Sequence, residues 1–163
     1  MRLSFKNQGG LTLFELVIVA AVISVLVTIA GLIYRNAAIK SSVENQIRVM
    51  YADLLEIRQK ALLEKSPRAV KFAERKMSIY PGTDTTVLPV QVRDLVHPVT
   101  WSGGGQCTVA YDTWGVCNSP VTVCVDQDSA SAGADSIVIS KTRVRIGKRM
   151  AGKSCKAEFV YLK

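Results

Sequence analysis

The feature that most constrains the fold of this chain is a long uncharged apolar run near its N-terminus. Residues 16–33 are eighteen apolar or small side chains, interrupted only by Ser24, Thr28 and Gly31. A run of this length can cross a membrane as a helix, and it is longer than the apolar part of an ordinary signal peptide. Glu15 directly precedes the run, although a charge at the centre of a membrane helix costs roughly 2.5–3.5 kcal/mol. The run therefore predicts a helix that needs lipid, or other copies of itself, around it.

A second pattern predicts that this helix continues well beyond the membrane-length run. Apolar residues recur at spacings of three and four: Ile39, Val43, Ile47, Met50, Leu54, Ile57 and Ala61. Such spacing forms one face of an amphipathic helix. Ser66-Pro67 is predicted to end it, because a residue before proline is disfavoured in the helical conformation. We expect one helix over 11–65, which is apolar all round over 11–33 and amphipathic beyond.

The junction between the short basic leader and this helix carries a specific motif, QGGLTLFELVIVAAVI. It resembles the class III signal of type IV pilins and pseudopilins, in which a prepilin peptidase cuts after a glycine and methylates the new amino terminus. The resemblance implies that residues 1–10 are removed, with Gly10 before the cut and Leu11 as the N-methylated first residue. It also implies that Glu15 neutralises the terminal amine of a neighbouring subunit. Opposite charges about 4 Å apart attract by several kcal/mol at a low effective dielectric, so this pairing would favour assembly.

The motif departs from the family pattern at two points, and other interpretations of the run exist. Leu11 stands where the family mostly has Phe, and the helix lacks the proline that many major pilins carry. The missing proline favours a minor pilin or pseudopilin. One alternative is a plain signal anchor that Glu15 merely flanks. Another is a conventional signal peptide cut after Ala30, which would make the remainder a secreted protein.

The chain after Pro67 changes to short alternating segments separated by turns, which predict strands. These include 69–73, 77–80, 121–125, a hairpin about Lys141-Thr142, and a final segment with Cys155, Ala157, Phe159 and Tyr161 on one face. The hairpin DSIVISKTRVRIG resembles that of GspH- and FimT-type pseudopilins, with Thr142 where they usually have Gly. A helix followed by about seven strands predicts an α+β fold, in which a sheet of the 66–163 head packs on the amphipathic half of the helix.

All four cysteines fall in the last third of the chain: Cys107, Cys117, Cys124 and Cys155. An even number downstream of a membrane-targeting segment indicates two disulfides in an oxidising compartment; the alternative is four reduced, buried thiols. Four cysteines allow three pairings, of which we predict Cys107–Cys117, closing a small hairpin, and Cys124–Cys155, tying a central strand to the last one. With no CxxC motif and His97 as the sole histidine, we predict no metal site and no cofactor.

The formal net charge of +8 is concentrated at the C-terminal end, where residues 141–163 hold eight basic side chains against one acid, Glu158. Some members of the FimT branch are associated with DNA binding through a basic C-terminal region, and the resemblance implies a candidate patch for DNA or a protein partner. Its residues are Arg143, Arg145, Lys148, Arg149, Lys153 and Lys156. The alternative is the solvated face of a strand. No Gly-x-Ser-x-Gly, HExxH or Walker motif is present, and we predict that the chain is not an enzyme.

Together these features predict a minor pilin or pseudopilin of a type IV pilus or type II secretion system. We expect a single-pass protein of the bacterial inner membrane with a cytoplasmic N-terminus and a periplasmic head, extracellular once it is in a pilus. The expected partners are other pilins, the prepilin peptidase, the inner-membrane assembly platform and, before assembly, lipid. Repeated packing of parallel helices generates an open filament. The alternative function is DNA binding for natural transformation. The sequence does not choose between pilus and secretion system.

Overall fold

The computed structural model describes residues 13–126 and 132–163, with the side chain of Leu32 left aside. Its single long helix, α1, spans Leu13–Leu63. The predicted helix began at Leu11, which lies outside the described residues, and was predicted to end at Lys65. It ends two residues earlier, because Lys65 adopts a left-handed backbone with φ of 50°.

The chain divides into two compact units, Met1–Ala38 and Ile39–Lys163. In the first unit the described side chains of α1 lie exposed. Its most apolar eighteen-residue window has a mean hydropathy of 3.0, and none of that window is buried. By length and composition this part of α1 is sufficient to cross a membrane. The apolar N-terminal helix predicted from the sequence is therefore confirmed.

In the second unit, α1 presents the predicted apolar face to the core of the head. Six of the seven residues in the pattern are buried, namely Val43, Ile47, Met50, Leu54, Ile57 and Ala61, and Ile39 is half-buried. The period of 3.6 residues per turn brings these positions to one side of the helix. Burial of this face is what makes the C-terminal half of α1 part of a folded domain.

The described part of the head contains nine strands. These are β1 (Arg68–Ala73), β2 (Lys76–Tyr80), β3 (Gln91–Asp94), β4 (Val99–Trp101), β5 (Cys107–Tyr111), β6 (Val121–Val125), β7 (Ser136–Ile139), β8 (Val144–Arg149) and β9 (Val160–Leu162). They form a four-stranded sheet, β3-β2-β1-β5, and a five-stranded sheet, β4-β6-β7-β8-β9. All neighbouring strands are antiparallel. Side chains from both sheets, such as Phe72, Val109, Val123 and Ile137, share one core with α1.

The division into two sheets differs from the single sheet predicted from sequence. The chain passes from β4, at the edge of the second sheet, to β5, at the edge of the first, through the glycine run 103–105. Gly103 and Gly105 have φ values of 107° and 83°, a region that side chains disfavour and glycine tolerates. The run is therefore one of three points at which the described part of the chain changes sheets, the others being the connections from β3 to β4 and from β5 to β6.

The predicted last strand also differs from the structure. Residues Ala157–Phe159 form a 3-10 helix, and only Val160–Leu162 pair with β8. The alternation that placed Cys155, Ala157, Phe159 and Tyr161 on one face of a strand is therefore wrong. The physical reason is that the chain leaves the sheet after β8 to reach Cys124 on β6, two strands away. It returns through a compact turn, in which the Met150 N–H donates to the Phe159 carbonyl oxygen at 2.9 Å.

Candidate assembly and interaction sites

The first candidate site is the exposed N-terminal part of α1. Glu15 lies in its first turn, where the positive end of the helix dipole favours a carboxylate. Its neighbours Leu13, Phe14 and Leu16 are 83%, 73% and 61% exposed. Gly10 and Leu11, the predicted cleavage and methylation positions, lie outside the described residues. A contiguous apolar surface of this kind is the mark of a surface that other molecules or lipid cover.

The two hydroxyl side chains within the apolar run are satisfied inside the helix. Ser24 Oγ donates to the Ala21 carbonyl oxygen at 2.7 Å, and Thr28 Oγ1 donates to the Ser24 carbonyl oxygen at 2.8 Å. A hydroxyl that bonds back to its own helix does not need a partner from water. These residues therefore do not interrupt the apolar character of the surface.

Of the two predicted disulfides, the one between Cys124 and Cys155 is present. The sulfurs are 2.01 Å apart and the Cα atoms 5.9 Å apart. The bond joins β6 to the segment that follows β8. It therefore holds that segment, residues 150–159, against the five-stranded sheet.

The second predicted disulfide, Cys107–Cys117, is not formed: both residues are free, buried thiols. Tyr111 pairs with Cys117, and the Asn118 N–H donates to the Ala110 carbonyl oxygen at 2.9 Å. Cys117 therefore lies beside Tyr111, at the far end of the strand from Cys107. Cys107 is four residues before Tyr111, which is about 13 Å at the strand rise of 3.3 Å per residue. A disulfide requires Cα atoms within about 7 Å. Burial raises the pKa of Cys107 to about 12 and also raises the pKa of Cys117, which disfavours the thiolate form through which a cysteine reacts.

The predicted basic patch separates into two groups of residues. Four are exposed: Arg143, Arg145, Lys153 and Lys156. Arg149 and Lys148 are half-buried. The Arg149 guanidinium donates to the Val125 carbonyl oxygen at 3.4 Å, and its backbone N–H donates to Asp135 Oδ1 at 2.6 Å. Arg149 thus serves the packing of the sheet, and the accessible part of the patch is smaller than predicted.

Two of the exposed cations lie on the segment that the disulfide holds. Lys153 Nζ is 5.6 Å from the centre of the Phe159 ring, within cation–π range. Lys156 Nζ is 3.9 Å from a carboxylate oxygen of Glu158, a surface pair that contributes little to stability. The covalent bond at Cys155 therefore also fixes where these two charges are presented.

Sequence reasoning missed a cluster around an exposed tryptophan. Trp114, 71% exposed, lies in the turn between β5 and residue 117. Lys65 follows the C-terminal end of α1, and its Nζ is 4.8 Å from the centre of the Trp114 ring. Nothing in the local sequence connects these two residues, which are far apart along the chain. The local sequence Asp112-Thr113-Trp114-Gly115 could have predicted the turn itself. An Asp in a turn with Gly often accepts a hydrogen bond from the backbone N–H two residues later.

His97, the single histidine, has a structural environment. Its Nε2 lies 2.9 Å from Ser42 Oγ on α1. Burial and the neighbouring Arg75 guanidinium lower the pKa of His97 below its ordinary value. Within residues 13–126 and 132–163, no three His, Cys, Asp or Glu side chains are grouped as metal ligands.

Comparison with known proteins agrees with this geometry. Residues 5–31 match the family model of the prokaryotic N-terminal methylation motif. The comparison with curated protein sequences gives no match. A crystal structure of the type IV minor pilin FimU of Pseudomonas aeruginosa is similar, with a TM-score of 0.56 and 14% identity over 71% of this chain and 96% of that one. The minor pseudopilin EpsH of the Vibrio cholerae type 2 secretion system gives a TM-score of 0.50 at 11% identity, over 64% and 95% of the respective chains.

Motif and fold therefore define the chain as pilin-like. The predicted resemblance to the type IV pilin and pseudopilin superfamily is confirmed by the methylation motif at its N-terminus and by the shared fold of the two solved proteins. At these identities the structural similarity concerns the fold itself.

Proposed function

We propose that this chain is a minor pilin or pseudopilin subunit that enters a helical filament, or the complex at its tip, through α1. The observation that carries the proposal is the contrast along this one helix. Its N-terminal part exposes an uninterrupted apolar surface with Glu15 in the first turn, whereas residues 43–61 form the core of a folded head. The minor pilin and minor pseudopilin that share the fold support this role.

The proposed assembly step depends on Gly10, Leu11 and Glu15. The peptidase cuts after Gly10, and the amine of Leu11 becomes the methylated terminus. Glu15 of one subunit then pairs with the Leu11 amine of a neighbour among apolar helices, where a low dielectric strengthens the attraction. Burial of a carboxylate among apolar helices is costly, and a neighbouring positive charge offsets that cost. The charge pair thus favours the assembled helices over isolated ones.

The proposed topology has the N-terminus in the cytoplasm and the head in the periplasm. The Cys124–Cys155 bond supports it, because disulfides persist in oxidising compartments. A subunit inserted in this way can be taken up by an inner-membrane assembly platform together with other pilins. Lipid covers the apolar part of α1 until then.

The test is to express the full chain with a prepilin peptidase and a filament system, and to follow both processing and incorporation. The wild-type chain is expected to lose residues 1–10 and gain one methyl group by intact-mass measurement. Glu15→Gln should be processed but should not enter filaments. Ser24→Ala is the matched control, since that hydroxyl bonds only within its own helix. Incorporation of Glu15→Gln at the wild-type level would contradict the assembly role.

A second candidate function is DNA binding for natural transformation, favoured by the exposure of four cations of the basic patch: Arg143, Arg145, Lys153 and Lys156. Phosphate contacts would make this binding steeply salt-dependent. The test is fluorescence anisotropy with DNA over a salt series. Changing these four residues to Gln should abolish micromolar binding. The matched control removes four cations elsewhere: Lys40, Lys60, Lys71 and Lys76. Equal losses in both variants, or no binding at low salt, would contradict a DNA site at the patch.

A further inference from the structure

We propose that the turn 112–116, Lys65 and the turn 141–143 form a binding site for single-stranded nucleic acid, in which Trp114 stacks on a base. We call Lys65, Trp114 and Lys141 the Trp114 platform. This inference rests on the second proposed function, nucleic-acid binding, and adds to it a site that shares only Arg143 with the predicted patch.

The turn that carries Trp114 is held by its own hydrogen bonds. Asp112 Oδ1 accepts from the Trp114 N–H at 2.8 Å and from the Val116 N–H at 2.9 Å. The Gly115 N–H donates to the Asp112 carbonyl oxygen at 2.9 Å. A turn capped in this way has few alternative conformations. The backbone at Trp114 is therefore held in one conformation.

Contacts with α1 fix the turn further. Arg58 Nε donates to the Gly115 carbonyl oxygen at 2.9 Å. Gly115 has a φ of 67°, and a Cβ placed there would lie 2.8 Å from Leu62 Cγ. The backbone of the turn thus packs directly on the side chain of Leu62. Only a glycine allows both the left-handed conformation and this close approach.

Trp114 itself does not take part in this packing. It is 71% exposed even with Lys65 Nζ 4.8 Å from the centre of its ring. A cation over one face leaves the rest of the indole surface open to a ligand. A large, rigid aromatic side chain that the fold does not bury is suited to contact a partner.

The surroundings of the Trp114 platform carry a positive charge excess. The Cys117 N–H donates to the Lys141 carbonyl oxygen at 2.7 Å, which places the turn 141–143 beside the hairpin that carries Trp114. The side chains of Lys141 and Arg143 are exposed. Two acids on these segments have partners: Asp112 accepts from backbone N–H groups, and Glu64 pairs with Arg68. The exposed cations Lys65, Lys141 and Arg143 therefore favour an anionic ligand at this surface.

An exposed aromatic ring beside several cations favours single-stranded nucleic acid over other polyanions. Bases stack on aromatic side chains while cations contact the phosphates. A duplex offers phosphates but hides the faces of its bases. An acidic protein surface could pair with the cations but would not need a base stacked on the ring. A neighbouring subunit with such a surface is the alternative ligand, and the experiment below distinguishes it from nucleic acid.

The test uses the full chain in detergent, with Trp101→Phe as the parent so that Trp114 is the one remaining tryptophan of the two in the sequence. The parent is titrated with a short oligothymidylate and, separately, with inorganic polyphosphate. We expect the oligothymidylate to quench Trp114 emission and polyphosphate to bind without quenching. Affinities are measured by isothermal titration calorimetry, because the parent with Trp114→Ala added contains no tryptophan. That variant should bind oligothymidylate about fivefold or more weakly, as loss of one stacked base does, and polyphosphate with unchanged affinity.

Tyr161→Ala is the matched control, because Tyr161 is an aromatic residue with 64% exposure elsewhere on the head; it should change neither affinity. If Trp114→Ala leaves oligothymidylate binding unchanged, the Trp114 platform is overturned while binding by the basic patch stands. If the parent binds neither ligand, both nucleic-acid proposals are overturned. If Trp114→Ala reduces filament incorporation but not oligothymidylate binding, Trp114 contacts a neighbouring subunit, and the platform is again overturned.

Discussion

Gln46 on α1 binds both polar groups of the His97 backbone. Its Nε2 donates to the His97 carbonyl oxygen at 2.9 Å, and its Oε1 accepts from the His97 N–H at 2.8 Å. Gln46 is only 7% exposed. The pair of bonds acts as a neighbouring strand would, because it satisfies a donor and an acceptor of the same residue. It therefore holds the connection between β3 and β4 against the helix.

Gln46→Ala is accordingly expected to destabilise the head. The change leaves a backbone donor and acceptor without partners, and a group of this kind costs about 1–3 kcal/mol when buried. We expect the free energy of unfolding of the full chain in detergent to fall by about 2 kcal/mol in chemical denaturation. Asn45→Ala, at the exposed position beside it, should have little effect. Equal stability of the Gln46 variant and wild type would show that water replaces both bonds.

The stability of the head should also depend on the protonation of His97. Burial and Arg75 lower the pKa of His97 below its ordinary value of 6.5, so the folded state favours the neutral ring. This contribution is fully present above about pH 6.5 and is lost as the pH falls below it. His97→Gln should therefore lose less stability than wild type between about pH 7 and pH 5. Thermal unfolding at a series of pH values measures the difference, and parallel curves would contradict the assignment.

The Cys124–Cys155 disulfide should affect both the free energy of unfolding and the number of cysteines that react with a thiol reagent. Replacing Cys124 and Cys155 together by Ala should lower the free energy of unfolding by about 2–4 kcal/mol. In the wild-type chain, a thiol reagent should find two cysteines after denaturation without reductant and four after reduction, because Cys107 and Cys117 are free. Few or none should react in the folded state. If no cysteine reacts in the denatured, unreduced chain, Cys107 and Cys117 are joined by a disulfide and are not free thiols.

A substitution at Gly147 on β8 would test how closely β9 packs against β8. A Cβ at this position would lie 2.7 Å from the Tyr161 carbonyl oxygen on β9, and backbone cannot yield as a flexible side chain can. Gly147→Ala should therefore push β9 away and destabilise the head by about 1–3 kcal/mol. Gly104→Ala is the matched control, since a Cβ at Gly104 would have no heavy atom within 4 Å apart from its own residue and its two chain neighbours. Hydrogen exchange at Val160–Leu162 would report the loosening directly.

Local patterns in the sequence predicted the elements that depend on local physics. The buried face of α1 follows from spacings of three and four, and the hairpin of β7 and β8 follows from two apolar segments on either side of Lys141 and Thr142. The apolar part of α1 needed only its length and composition. In each case the residues that decide the structure lie within one or two turns or strands of each other.

The features that were missed depend on residues far apart in the chain. Asp53 and Arg93 form a two-fold hydrogen-bonded ion pair, at 2.5 and 3.0 Å, which joins α1 to β3. Neither residue differs locally from any other charged surface residue. The same holds for Lys65 and Trp114. The segment before β9 alternates as a strand does, but its bond to Cys124 draws it out of the sheet.

The position of the Cys124–Cys155 bond has a consequence for the order in which the protein matures. Cys155 follows β8 in the chain, so eight of the nine described strands precede the second sulfur during synthesis. The covalent link can therefore close only once the chain through Cys155, and with it all eight of these strands, has been synthesised. A chain interrupted before residue 155 would therefore lack both the covalent link and β9.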